Sequence, residues 1–71
     1  MKFSDKVFYL RKKKGLTQQE LATLTRVSQG AIQGYETGRI VPHLNTLIQL
    51  AKVLNVSADD LIDDERSVDS E

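Results

Sequence analysis

The side chains able to do covalent or metal chemistry are few and scattered. His43 is the one histidine and there is no cysteine. A zinc site would then rest almost wholly on carboxylates, whereas zinc sites are built mainly on Cys and His, and no metal or other cofactor is expected. Without cysteine there is neither a thiolate nucleophile nor a disulfide framework. Catalysis needs acid, base or nucleophile groups that converge. His43 has no obvious partner, and no Gly-x-Ser-x-Gly or phosphate-loop pattern occurs. The stretch Asp59 to Glu65 is acidic but lacks the glycine and spacing of a calcium loop. No enzyme is expected. What remains is charge.

The formal net charge is zero, yet the charges are sorted along the chain. Residues 1–58 hold nine Lys or Arg against three Asp or Glu, a net of +6. Residues 59–71 hold one Arg against seven acids, a net of −6. Six of the nine cations fall in the first fourteen residues: Lys2, Lys6, Arg11, Lys12, Lys13 and Lys14. A basic body fits a polyanionic partner, and it equally fits a solvated helix face. Residues 63–71 are acidic and nearly free of apolar side chains, so they are expected to form an unfolded tail.

These groups need a scaffold, and 71 residues allow one small domain. No apolar run approaches the roughly 18 residues of a membrane span. The first residues lack the apolar stretch of a secretory signal, so the cytoplasm is the default compartment. No segment alternates with period two, so no sheet is expected. Five helices can be read instead. Phe3, Val7, Leu10 and Lys14 share one face of a first helix over 4–14, capped by Ser4 or Asp5 and stopped at Gly15. Thr17-Gln18-Gln19-Glu20 has capping-box spacing and opens a second helix ending near Thr25, with Leu21, Ala22 and Leu24 on its apolar side. Leu16, one residue before that cap, is placed to staple onto Leu21. Ser28 caps a third helix, turned inward by Ala31, Ile32 and Tyr35 and ended by Thr37-Gly38. Leu44, Leu47, Leu50, Ala51 and Leu54 mark a fourth, capped at His43 or Asn45 and stopped at Asn55. Ser57-Ala58-Asp59-Asp60 caps a short fifth helix carrying Leu61 and Ile62.

The second and third helices are joined by about three residues, which forces a steep crossing. The run Thr17 to Ala22, then Val27-Ser28-Gln29, Ile32 and Tyr35-Glu36-Thr37-Gly38-Arg39, resembles the Cro and phage-repressor helix-turn-helix family (XRE-like). Pro42, Leu47, Leu50, Ala51, Leu54, Val56, Ser57 and Leu61 resemble that family's later helices. The resemblance covers residues 4–62. It implies an all-α, compact five-helix bundle, a lambda-repressor-like DNA-binding domain over residues 1–62. It also implies a transcriptional regulator, a repressor, whose homodimer binds a pseudo-palindromic double-stranded operator through helix 3 in the major groove.

The resemblance also implies roles by position. Gln18 would face a phosphate at the start of helix 2. Gln29 would read a base, its amide pairing with adenine N6 and N7, and Gln33 lies one turn on as a second reader. Ser28 is a cap that reaches a phosphate only secondarily. Thr37, Arg39 and His43 match positions that touch the DNA backbone, although His43 equally reads as a helix cap. Arg11 and Glu36 match a structural ion pair tying helix 1 to helix 3. Lys12, Lys13 and Lys14 read as a solvated helix end that adds long-range attraction to DNA. Val56, Leu61 and Ile62 are candidates for the dimer contact, with core packing as the competing reading.

Three features depart from the pattern. Arg26 stands where the turn usually has Gly or Asn, and a left-handed Arg there would cost about 1 kcal/mol. Gly30 and Gly34 replace long polar readers in helix 3 and cost about 1 kcal/mol each. Either their backbone approaches the groove floor closely or sequence discrimination is weak and shape readout fills in. No second domain follows helix 5 within the 71 residues, where larger relatives carry one. A protein-interaction module of the same fold, such as an antitoxin or coactivator-like partner binder, is the competing function. Gln18 and Gln29 favour DNA over it, while the glycine pair in helix 3 leans mildly the other way.

Overall fold

The computed structural model describes residues 1–62, and the expected acidic tail at 63–71 lies outside them. Five helices follow in order: α1 (Phe3–Lys13), α2 (Gln18–Thr25), α3 (Gln29–Thr37), α4 (Leu44–Leu54) and α5 (Ala58–Leu61). No strand occurs among the described residues.

The helix starts and stops are set by local side-chain chemistry. The hydroxyls of Thr17, Ser28 and Ser57 each accept the N3 amide of their helix at 3.0 Å, from Glu20, Ala31 and Asp60. Glu20 closes the box by accepting the Thr17 amide at 2.8 Å. Each cap satisfies an amide that the helix itself leaves orphaned, worth about 1 kcal/mol. Neither Ser4 nor Asp5 caps α1. That helix begins earlier, at Phe3, with Lys2 as an N-cap that makes no side-chain bond. His43 is the N-cap of α4, also without a side-chain bond.

The first four helices stop by one device. Gly15, Arg26, Gly38 and Asn55 all have positive φ. The amide of the residue after each reaches back to the carbonyl five before it: Leu16 to Arg11, Val27 to Ala22, Arg39 to Gly34 and Val56 to Ala51, at 2.9–3.1 Å. Arg26, with φ 63° and ψ 39°, adopts the left-handed conformation its position demands despite its Cβ. The short turn between α2 and α3 is thus held by the ordinary helix-stop geometry, with a residue ill suited to it.

Nine buried apolar residues form the core, at least one from every helix: Val7, Leu21, Ala22, Ile32, Tyr35, Leu50, Ala51, Leu54 and Leu61. Phe3, Leu10, Leu16, Val27, Ala31, Leu47 and Val56 pack around it half-buried. Two expected inward residues point outward. Leu24 is 53% exposed, because the inward stripe of α2 runs through Leu21, Ala22 and Thr25. Thr25 tolerates burial because its hydroxyl donates to the Leu21 carbonyl at 2.7 Å. Leu44 opens α4 and is 68% exposed, outside the inward stripe of Leu50, Ala51 and Leu54. Leu61 is fully buried, which removes it from the candidate dimer contacts. Its side chain instead anchors α5. Across the domain, the Lys6 ammonium donates to the carbonyls of Asp60 and Ile62 at 2.7 and 2.9 Å, tying α1 to the end of α5.

Candidate nucleic-acid interface

The fold brings the starts of α2 and α3 side by side, and a single carboxylate organises them. Arg11 is 7% exposed and reaches Glu36 through two parallel bonds, Nε to Oε2 at 2.5 Å and Nη2 to Oε1 at 3.1 Å. Its Nη1 donates to the Leu16 carbonyl at 2.8 Å. The side chain of Glu36 is only 4% exposed. This fork-to-fork geometry fixes both planes. It also locks α1 to the C-terminal half of α3 and to the loop before α2.

Glu36 has a further lone pair to offer, and Gln18 takes it: Nε2 donates to Oε1 at 3.0 Å. A carboxylate only accepts, so the Gln18 amide is oriented with its NH2 inward and its Oε1 outward. That outward oxygen accepts from Gln29 Nε2 at 3.5 Å, a long contact in an exposed setting. A relay of Arg11, Glu36, Gln18 and Gln29 therefore runs from the core edge to the surface. Gln29 is exposed and directs one N–H at Gln18, while its second N–H and its carbonyl oxygen have no partner among the described residues. Recognition of adenine by an amide needs one donor and one acceptor. Gln29 retains both.

The remaining expected residues divide. Gln33 lies exposed on α3, and its Oε1 accepts from Arg39 Nη2 at 3.1 Å. The pair couples the second reader position to the loop cation. Thr37 folds its hydroxyl back onto the Gln33 and Gly34 carbonyls at 3.0 and 3.3 Å, so it acts locally on its own helix. Ser28 serves as the α3 cap. His43 is exposed at the start of α4.

The two helix-3 glycines turn out to be different. A Cβ on Gly30 would meet only the Ser28 hydroxyl, at 3.8 Å, so that site is open to solvent. A Cβ on Gly34 would stand 2.6 Å from Ile40 Cγ1 and 3.2 Å from its Cβ. Gly34 is buried beneath the loop after α3, so close approach to a groove floor does not explain it. Its missing side chain is what lets Ile40 cross over α3. Sequence reasoning overlooked this packing and also the Gln18–Glu36 bond. The signal for the bond lay in Glu36, whose carboxylate has more acceptor capacity than one guanidinium fills.

No helix among the described residues is long and apolar enough to cross a membrane. No group of His, Asp or Glu among them is placed to hold a metal.

The helix-turn-helix family model (HTH_3) matches residues 7–61. The HTH-type transcriptional activator BcrR of Enterococcus faecalis is 35% identical over 68 residues, covering 96% of this chain and 33% of that protein. The uncharacterized HTH-type transcriptional regulator YqaE of Bacillus subtilis (strain 168) is 38% identical over 60 residues, covering 84% of this chain and 52% of that one. The chain thus spans a third to a half of the length of these relatives. Among solved structures, the P22 c2 repressor in complex with synthetic operator 9T superposes with a TM-score of 0.85 at 29% identity, covering 87% of this chain and 94% of that one. The expected fold, an all-helical lambda-repressor-like domain, is the one observed.

Proposed function

This chain belongs to the helix-turn-helix family of transcriptional regulators, and from that premise we propose that it is a sequence-specific regulator of double-stranded DNA. Such regulators are DNA-binding proteins and not enzymes. In this reading α3 enters the major groove. Gln29 reads a base, and Gln33 is held beside it by Arg39. The backbone amides at the start of α2, with Arg39 and His43, lie along the phosphate backbone. The observation that carries the reading is the relay from Glu36 through Gln18 to Gln29. It leaves a donor and an acceptor on an exposed amide at the start of the helix that a helix-turn-helix inserts. The P22 c2 repressor was solved on operator DNA and SinR, the master regulator for biofilm formation, was solved in complex with DNA; both share the fold.

The regulator acts as a homodimer on a pseudo-palindrome, with half-sites about one helical turn, roughly 34 Å, apart. Bound DNA is closed to polymerase wherever operator and promoter overlap, so repression is the outcome at such a site. The experiment is selection of bound sequences from random duplex DNA, followed by titration of the winner against a scrambled duplex. A recovered palindrome bound about a thousandfold tighter supports the reading, and its half-site spacing gives the dimer geometry. Absence of any enriched site overturns it in favour of a protein-interaction module.

A further inference from the structure

Lys12, Lys13 and Lys14 look equivalent in the sequence, but successive residues of a helix point about 100° apart. Lys12 lines an open groove together with Thr17, Gln18, Gln19 and Gln29. Lys13 and Lys14 line a separate depression with Leu10, Leu54, Asn55 and Val56, toward α4 and the turn before α5. Only one of the three lysines therefore faces the proposed interface.

Lys12 is also held there. Phe8, one turn earlier, is 49% exposed. Its ring centroid lies 6.0 Å from Lys12 Nζ and 5.4 Å from Arg11 Cζ. Arg11 is itself fixed by Glu36 and the Leu16 carbonyl. The ring thus sits against a rigid cation and presents the second, mobile cation to the groove. No carboxylate among the described residues pairs with Lys12. An ammonium with no carboxylate partner among the described residues, beside Gln18 and Gln29, has the chemistry of a phosphate ligand, a point charge with three donors.

We infer that Lys12 binds a DNA phosphate and that Phe8 positions it, an inference that rests on the duplex-DNA reading above. Lys13 over Tyr9, at 5.9 Å from the ring centroid, is a matched control: the same chemistry on the other side of the helix.

The test uses the full chain and a mixed-sequence duplex titrated over a range of salt. Lys12→Gln is expected to flatten the log–log salt slope by about 0.9, one released counterion, and to weaken binding about eightfold at 0.1 M salt. Lys13→Gln is expected to leave the slope within error of the parent. Phe8→Leu is expected to weaken binding by up to about fivefold with the slope kept, since the charge remains but its placement is lost. In the Lys12→Gln background Phe8→Leu is expected to add nothing. Equal slopes for Lys12→Gln and Lys13→Gln would overturn the Lys12 assignment while the DNA reading stands. A Phe8→Leu effect that persists without Lys12 would overturn the positioning role and place it on Arg11. A parent chain that binds no duplex would overturn the DNA reading and this inference with it.

Discussion

Glu36→Ala strikes the relay at its hub. The carboxylate it removes is the acceptor for both Arg11 bonds and for the Gln18 amide. Arg11 would keep only the Leu16 carbonyl while remaining almost wholly buried. Stranding one partner of a buried pair costs about 3–5 kcal/mol. A folded unit of about sixty residues has roughly 3–9 kcal/mol in total. Each kcal/mol shifts the melting point of a domain this small by roughly 4–8 °C, so the lower bound already lowers Tm by about 12–24 °C. Arg11→Met is expected to cost a similar amount by stranding Glu36. The double variant Arg11→Met/Glu36→Leu removes both charges, and apolar replacement of a buried pair is close to neutral. It should be more stable than Arg11→Met or Glu36→Leu alone, the two single variants that close the cycle, with a coupling of about 3 kcal/mol or more. The assay is urea and thermal unfolding followed by far-ultraviolet circular dichroism. Additive losses within about 0.5 kcal/mol would refute the reasoning, because independent sites add.

Four further outcomes follow from particular contacts. Gly34→Ala forces a Cβ into Ile40, an overpacking of about 1–3 kcal/mol offset by about 1 kcal/mol of helix propensity, so a net loss in Tm is expected that Ile40→Ala restores. Gly30→Ala meets open space and is expected to raise stability by up to about 1 kcal/mol in the same melts. Arg26→Gly relieves a left-handed Cβ and should stabilise by about 1 kcal/mol, read from the urea midpoint at constant slope. Arg39→Ala is expected to weaken operator and scrambled duplex alike in a binding titration, whereas an operator-only loss would contradict its backbone role.

Much of the fold was legible because it is written locally. Thr17, Ser28 and Ser57 announce helix starts by hydroxyls that reach only three residues, and Gly15, Gly38 and Asn55 announce stops by φ preference. The inward face of α4 shows as periodicity for the same reason. What the sequence concealed depends on the approach of distant residues. Leu24 and Leu44 fit apolar patterns, yet only the packing of α2 and α4 shows that nothing covers them. Gly34 is legible as an oddity, while Ile40 as its cause requires the path of the loop. The site divides in the same way. Resemblance pairs Arg11 with Glu36, as observed, and names Gln18 and Gln29 for separate roles without linking them. The link from Glu36 to Gln18 is a tertiary fact, since Gln18 and Glu36 lie eighteen residues apart on different helices. The lysine run at 12–14 reads as one solvated patch until the helix phase separates Lys12 from its neighbours.

The most direct test is of Gln29 as the base reader. Gln29→Ala and the parent chain would be titrated against the selected operator, every single-base variant of one half-site, and a scrambled duplex. A loss of about 1–3 kcal/mol on the operator is expected, with discrimination relaxed at one base-pair position and intact elsewhere. Equal weakening on operator and scrambled DNA would contradict the assignment.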